Sequence, residues 1–109
     1  MAYRRSDSFP DSQKSLAEWA RALGHPGRIA LLETLAERDT CTCGELVDEL
    51  PLAQATVSQH LKALKESGLI VGTIDGPRSC YCVDRDALRR MADSFMKWFG
   101  TLEDKSRCC

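Results

Sequence analysis

Apolar residues return along this chain with two different periods, and the change of period marks out its elements. Leu16, Trp19, Ala20 and Leu23 recur at helical spacing. They predict a first helix capped at Ser12 or Ser15 and ended by Gly24. Ile29, Leu32 and Leu35 predict the buried face of a second helix, which opens at His25-Pro26 and runs to about Glu37. A short extended link over 38–42 leads to a brief third helix from Cys43 or Gly44 to Leu50, with Leu46, Val47 and Leu50 inward. After the turn Pro51-Leu52-Ala53, Val57, Leu61 and Leu64 predict a fourth helix from about Gln54 to Ser67, stopped by Gly68. The period then shortens. Leu69–Ile74 and Ser79–Val83 read as two strands around the turn Asp75-Gly76-Pro77. A last helix from about Asp86 to Leu102 carries Leu88, Met91, Phe95, Trp98, Phe99 and Leu102 in one stripe.

The resulting order, α-α-β-α-α-β-β-α, is a mainly α fold with a small β-hairpin: a winged helix-turn-helix. With 109 residues the chain has room for one domain and one modest core. That domain is expected over residues 13–103, between a flexible N-terminal arm (1–12) and a cysteine-bearing tail (104–109). The apolar stripes of the first and last helices exceed what one small core can use. Leu16, Trp19, Leu23, Phe95, Trp98 and Phe99 are therefore expected to form the seam of a homodimer.

The polar face of the fourth helix suggests chemistry. Opposite its apolar stripe stand Ala55, Gln59, Lys62 and Glu66, flanked by Thr56 and Ser58. Small polar residues in the first half of such a helix can enter a major groove and meet base edges and phosphates. The expected DNA-contacting residues are Gln54, Ala55, Thr56, Ser58, Gln59, His60 and Lys62, with Arg78 on the wing. An ordinary solvated surface helix would look much the same by periodicity alone. His60 lies beside the apolar stripe, so a buried structural role stands next to DNA contact for it. His25, at a helix start, reads as structural.

One string narrows the reading. Leu52-Ala-Gln-Ala-Thr-Val-Ser-Gln-His-Leu-Lys-Ala-Leu-Lys-Glu-Ser-Gly-Leu-Ile70 closely resembles the helix-turn-helix of the ArsR/SmtB family of metal-sensing repressors. Leu23-Gly-His-Pro-Gly-Arg-Ile-Ala-Leu-Leu32 and Asp75-Gly-Pro-Arg-Ser-Cys-Tyr-Cys-Val83 fit the same family, and the similarity spans roughly residues 16 to 100. The resemblance implies a homodimer that binds double-stranded operator DNA and releases it when an effector binds.

Composition changes this picture little, and the cysteines change it most. Hydrophobic residues make up 43% and charged residues 28%, and the formal net charge of −1 neither favours nor opposes DNA. No stretch reaches the roughly 20 apolar residues of a membrane span, and Met1–Gln13 lacks a signal-peptide pattern. A cytoplasmic protein with no membrane partner is expected. Six cysteines form three close pairs: Cys41/Cys43, Cys80/Cys82 and Cys108/Cys109. In a reducing compartment such a count points to metal or redox chemistry. No Cys-x-x-Cys is present and neither histidine adjoins a cysteine pair, so neither a mixed zinc finger nor an enzyme is expected, and no organic cofactor.

Within the resemblance, one family zinc site uses histidines on the last helix, which here has none. Another uses a Cys-x-Cys at the start of the third helix, matched by Cys41 and Cys43. The arsenic-sensing pattern adds a third cysteine where this chain has Leu46, and the cadmium/lead pattern draws on an N-terminal arm that here lacks cysteine. Winged-helix topology pairs the short strand near Cys41 with the returning wing strand, whose Cys80 and Cys82 share one face. Cys41, Cys43, Cys80 and Cys82 are thus the expected ligand set, with Cys108 and Cys109 as lesser candidates. Tyr81 and Val83 are expected on the opposite, core side. Arsenite or antimonite, which favour three thiolates, are the expected effectors. Zinc, cadmium or lead, a thiol redox switch, and inert cysteines are the alternatives.

Overall fold

A computed structural model of the chain describes residues 8–38, 50–73 and 80–104. It shows helices α1 (Asp11–Ala22), α2 (Pro26–Ala36), α3 (Gln54–Glu66) and α4 (Arg85–Glu103), with strands β1 (Ile70–Thr73) and β2 (Cys80–Val83) between α3 and α4. The fold is mainly helical with one antiparallel hairpin, as the period change predicts. The expected third helix, short strand, wing tip, tail and most of the arm lie outside the described residues.

Local chemistry sets most boundaries. Helix α1 begins at Asp11, after Pro10 rather than after a Ser12 or Ser15 cap. Helix α2 starts with Pro26 at its first position, and the N-cap His25 accepts the Gly27 backbone N–H at Nδ1 over 2.9 Å. Asp84 caps α4 by accepting the Ala87 N–H at 3.1 Å. The end of α3 is a Schellman turn. Gly68 takes φ +86°, its N–H bonds the Lys65 carbonyl, and the Leu69 N–H bonds the Leu64 carbonyl. That turn aims the chain straight into β1.

Ala22, Leu31, Leu35, Val57, Leu61, Leu64, Leu69, Ile70 and Ala87 form the core, one residue from α1 and most from α2, α3 and the start of β1. Trp19, Leu23, Tyr81, Val83, Leu88 and Met91 pack around it. The inward face of α2 differs from expectation. Leu31 is fully buried and Leu35 nearly so, while Ile29 is exposed. Ile29-Ala30-Leu31-Leu32 is a continuous apolar run, so periodicity cannot choose a face there. Packing against α3 and β2 chooses it instead.

Candidate nucleic-acid interface

Helix α3 turns Val57, Leu61 and Leu64 into the core, as its spacing requires. Its other side is open. Ala55, Ser58, Gln59, Lys62, Lys65 and Glu66 are exposed and Thr56 is half-buried. Gln54 opens the helix. Of the expected DNA-contacting set, Ala55, Thr56, Ser58, Gln59 and Lys62 therefore share one accessible face of the helix, and His60 does not. Arg78 lies outside the described residues.

His60 corrects the expectation. It is 6% exposed and sits on the inward side of α3, where its ring cannot reach a base edge. Its sequence position signals this: it is three residues after Val57 and four before Leu64, on the same helical stripe. Its Nδ1 accepts the Arg28 Nε–H at 3.1 Å, and its Nε2 is buried with no hydrogen-bond partner among the described atoms. Burial, then the neighbouring His25 and Arg28, hold its basicity below the usual histidine range. The rings of His25 and His60 lie 4.4 Å apart at 42°.

Arg28 went unnoticed in the periodicity because it belongs to no stripe. Besides bonding His60, its Nη1–H donates to the Arg21 carbonyl at 3.1 Å, near the C-terminal end of α1. A cation there meets carbonyls that lack helical partners. Arg85 plays a similar part elsewhere, donating to the Ala36 carbonyl at the end of α2 over 3.0 Å.

The hairpin joins α3 to α4. Its register pairs Ile70 with Val83 and Val71 with Cys82, Gly72 with Tyr81 and Thr73 with Cys80. Ile70, Tyr81 and Val83 serve the core. Alternation then sets Cys80 and Cys82 on the other face, the face of Val71, which is exposed. Both are half-buried and both are disulfide-bonded. Cys41, Cys43, Cys108 and Cys109 lie outside the described residues. Among the described residues, no three His, Cys, Asp or Glu side chains gather to hold an ion.

The other face of the molecule is apolar. Leu16, Trp19 and Leu23 of α1 are half-buried, as is Phe95 of α4, whereas Trp98 and Phe99 are exposed. Met96 and Leu102 are exposed beside them, Met96 at 72%. Phe99 stacks near Phe95 and Trp98, with ring centroids 6.2 and 5.1 Å away. A groove of about 500 Å³ runs between α1 and α4, walled by Leu16, Trp19, Trp98 and the hydroxyls of Ser12 and Ser94.

Comparison with known proteins agrees with this architecture. A family described as a helix-turn-helix domain matches residues 23–73. The transcriptional repressor SmtB of Mycobacterium tuberculosis is 43% identical over 76 residues, 70% of this chain and 50% of that one. This chain thus spans about half the length of that repressor. The solution structure of the cadmium metal-sensor CmtR from M. tuberculosis is 34% identical, covering 72% of this chain and 80% of that one, with a TM-score of 0.54. An ArsR-like transcriptional regulator from Rhodococcus sp. RHA1 shares the fold, with a TM-score of 0.72 at 22% identity over 86% of this chain and 88% of that one. These relatives are regulators of transcription, in line with a sequence that offers no catalytic constellation. Helix order, the α3 string and these likenesses agree: the chain belongs to the ArsR/SmtB family of helix-turn-helix transcriptional regulators.

Proposed function

We propose that this chain is a homodimeric, DNA-binding transcriptional repressor of the cytoplasm that releases its operator when a thiophilic species engages its cysteines. The observation that carries the reading is the position of Cys80 and Cys82. They share the core-averted face of β2, in the hairpin that directly follows α3. Sulfur chemistry there acts on the element that seats the DNA-reading helix.

In this reading residues 13–103 form the DNA-binding and dimerisation domain, between the arm 1–12 and the tail 104–109. Gln54, Ala55, Thr56, Ser58, Gln59 and Lys62 meet bases and phosphates, and Arg78 adds a wing contact. The exposed apolar band of α4 pairs with its copy in a second chain, with Leu16, Trp19 and Leu23 alongside. Cys41, Cys43, Cys80 and Cys82 hold arsenite or antimonite, with Cys108 or Cys109 as lesser donors. Soft thiolates select such ions. Zinc, cadmium and lead are the alternative ions, and the likeness to a cadmium metal-sensor supports that arm. Drawing Cys41 and Cys43 toward Cys80 or Cys82 shifts the helix-turn-helix against the dimer axis. Half-sites lie one turn of DNA apart, so a small shift weakens both contacts. A coupling of about 1–3 kcal/mol suffices for release.

A second reading has its own support. Cys80 and Cys82 are disulfide-bonded, which favours a thiol redox switch in which disulfide formation itself moves the wing.

The test is fluorescence anisotropy on operator DNA selected from random duplexes. Under reductant, arsenite, antimonite, cadmium, zinc and lead are titrated into wild type, Cys41→Ser and Cys80→Ser. Release by arsenite in wild type and its loss in both variants is the expected result. Normal release by the variants refutes the cysteine site. Release by a metal-free oxidant, reversed by thiol, selects the redox reading. Binding that does not weaken steeply with salt refutes DNA recognition itself.

A further inference from the structure

Where α1, α2 and α3 meet, the buried His60 ring, the half-buried Arg28 guanidinium and the exposed His25 ring form a polar cluster that the cysteine site does not use. We infer that Arg28 and His60 form a positioning link that holds the DNA-reading helix against α1 and α2, and that protonation of His60 at Nδ1 opens it. The inference rests on α3 being the DNA-reading element.

The geometry defines the hydrogen positions. Nδ1 of His60 accepts from Arg28, so in the neutral ring the proton sits on Nε2. Nε2–H points at Gly27 and Leu52: a Cβ added to Gly27 would lie 3.0 Å from His60 Nε2 and 3.0 Å from Leu52 Cδ1. The ring is therefore enclosed with its one lone pair committed to Arg28. Arg28 is committed in turn to the Arg21 carbonyl of α1. One side chain thus ties the end of α1 and the start of α2 to the middle of α3.

A proton from solvent must bind at Nδ1, since Nε2 already carries one. The Arg28 Nε–H then loses its acceptor, and two cations face each other across the former bond. Among the described residues, the charges that act on His60 are those of His25, the N-cap of α2, and Arg28 on α2; Glu18 and Arg21 of α1 and Glu66 of α3 share a surface groove with Arg28. Neither His25 nor Arg28 can act as a counter-charge. The His25 lone pair that caps α2 by accepting from Gly27 also exists only on the neutral ring. On α3 itself, Lys62, Lys65 and Glu66 are exposed. The relief available is withdrawal of Arg28 or rotation of α3 outward, and either changes the angle at which Ser58, Gln59 and Lys62 are presented.

The experiment has two arms. In the first, nitrogen-detected NMR follows the imidazoles of the reduced full chain without DNA. The expected result is an Nε2–H tautomer for His60 at pH 8, with a titration midpoint below the ordinary histidine value of about 6.5. Its change should coincide with that of the Arg28 Nε–H signal. An Nδ1–H tautomer, or an ordinary midpoint, overturns the link. The second arm measures DNA affinity from pH 8 to 5.5 for wild type, His60→Asn and His25→Asn. Asparagine keeps an acceptor near the Nδ1 position and an N-cap at position 25, but does not titrate. Wild type is expected to lose at least about fivefold in affinity on acidification. His60→Asn should match wild type at pH 8 and lose less than about twofold, while His25→Asn should retain most of the wild-type fall. An unchanged pH profile in His60→Asn overturns the proposal, as does its abolition by His25→Asn alone. Failure of wild type itself to bind DNA, with the NMR result as expected, would locate the error in the reading of α3 and not in the link.

Discussion

Helix α3 and the second half of α4 carry apolar stripes of similar spacing, yet the chain covers one and leaves the other open. Val57, Leu61 and Leu64 of α3 meet α2, Leu69 and Ile70 and are buried. Met96, Trp98, Phe99 and Leu102 of α4 stand 40–72% exposed. The first half of α4 behaves like α3: Ala87 is buried and Leu88 and Met91 pack on the core. The contrast thus falls within a single helix, at about Phe95. It teaches that a helical stripe reports a need for cover but not who supplies it. The exposed Trp98, Phe99 and Leu102 are the observation behind the proposed dimer seam.

The sharpest way to break the comparison is to truncate both stripes. Leu64→Ala, at 0% exposure, is expected to lower unfolding stability by about 2–5 kcal/mol. Urea denaturation measures it. Met96→Ala should change the same quantity by less than about 0.5 kcal/mol at low protein concentration. Equal losses would mean that the exposed band is covered within one chain.

The next effect lies in assembly. Trp98→Ala should weaken self-association by about 2 kcal/mol or more, read by sedimentation equilibrium, with no matching loss of monomer helix content in circular dichroism. A wild type that stays monomeric at micromolar concentration removes the seam.

Smaller effects follow where backbone geometry joins the two halves. Gly27→Ala would press a methyl against His60 and Leu52 and is expected to cost about 1–3 kcal/mol. Asp84→Ala removes the N-cap at the covered end of α4 and should cost about 1 kcal/mol by thermal denaturation.

The smallest effect is a pH slope. Burial first, and then the two neighbouring bases, depress the His60 pKa in the folded chain. The unfolded state therefore binds the proton more readily, and stability rises with pH across the window. The contribution is full above the unfolded value of about 6.5 and falls away as pH drops from there toward the folded value. Thermal melts at pH 8, 6.5 and 5.5 should show this decline. It should flatten in His60→Asn.

Particular elements show how much could be read without coordinates. Helix α3 was legible because a clear stripe, a stopping glycine and a distinctive string all agree. The start of α2 follows from Pro26, whereas α4 begins at Arg85, capped by Asp84, just before the expected start near Asp86. The inward face of α2 was not legible, because four consecutive apolar residues satisfy any rotation. For His60 the sequence leaves DNA contact and a buried structural role open, and its burial decides for the second. The Arg28 bonds leave no periodic trace at all, since a hydrogen bond across 32 residues depends on how helices cross.

What the sequence by itself determined, then, is the order of elements, the open polar face of α3, and the sharing of one hairpin face by Cys80 and Cys82. Each follows from local periodicity and backbone sterics, which act within a few residues. Tertiary structure alone decided that Leu31 rather than Ile29 enters the core, that the apolar band of α4 is left uncovered past Phe95, and that His60 is tied to α1 through Arg28. Those outcomes depend on which surfaces come together, and packing between distant segments is a property of the folded chain as a whole.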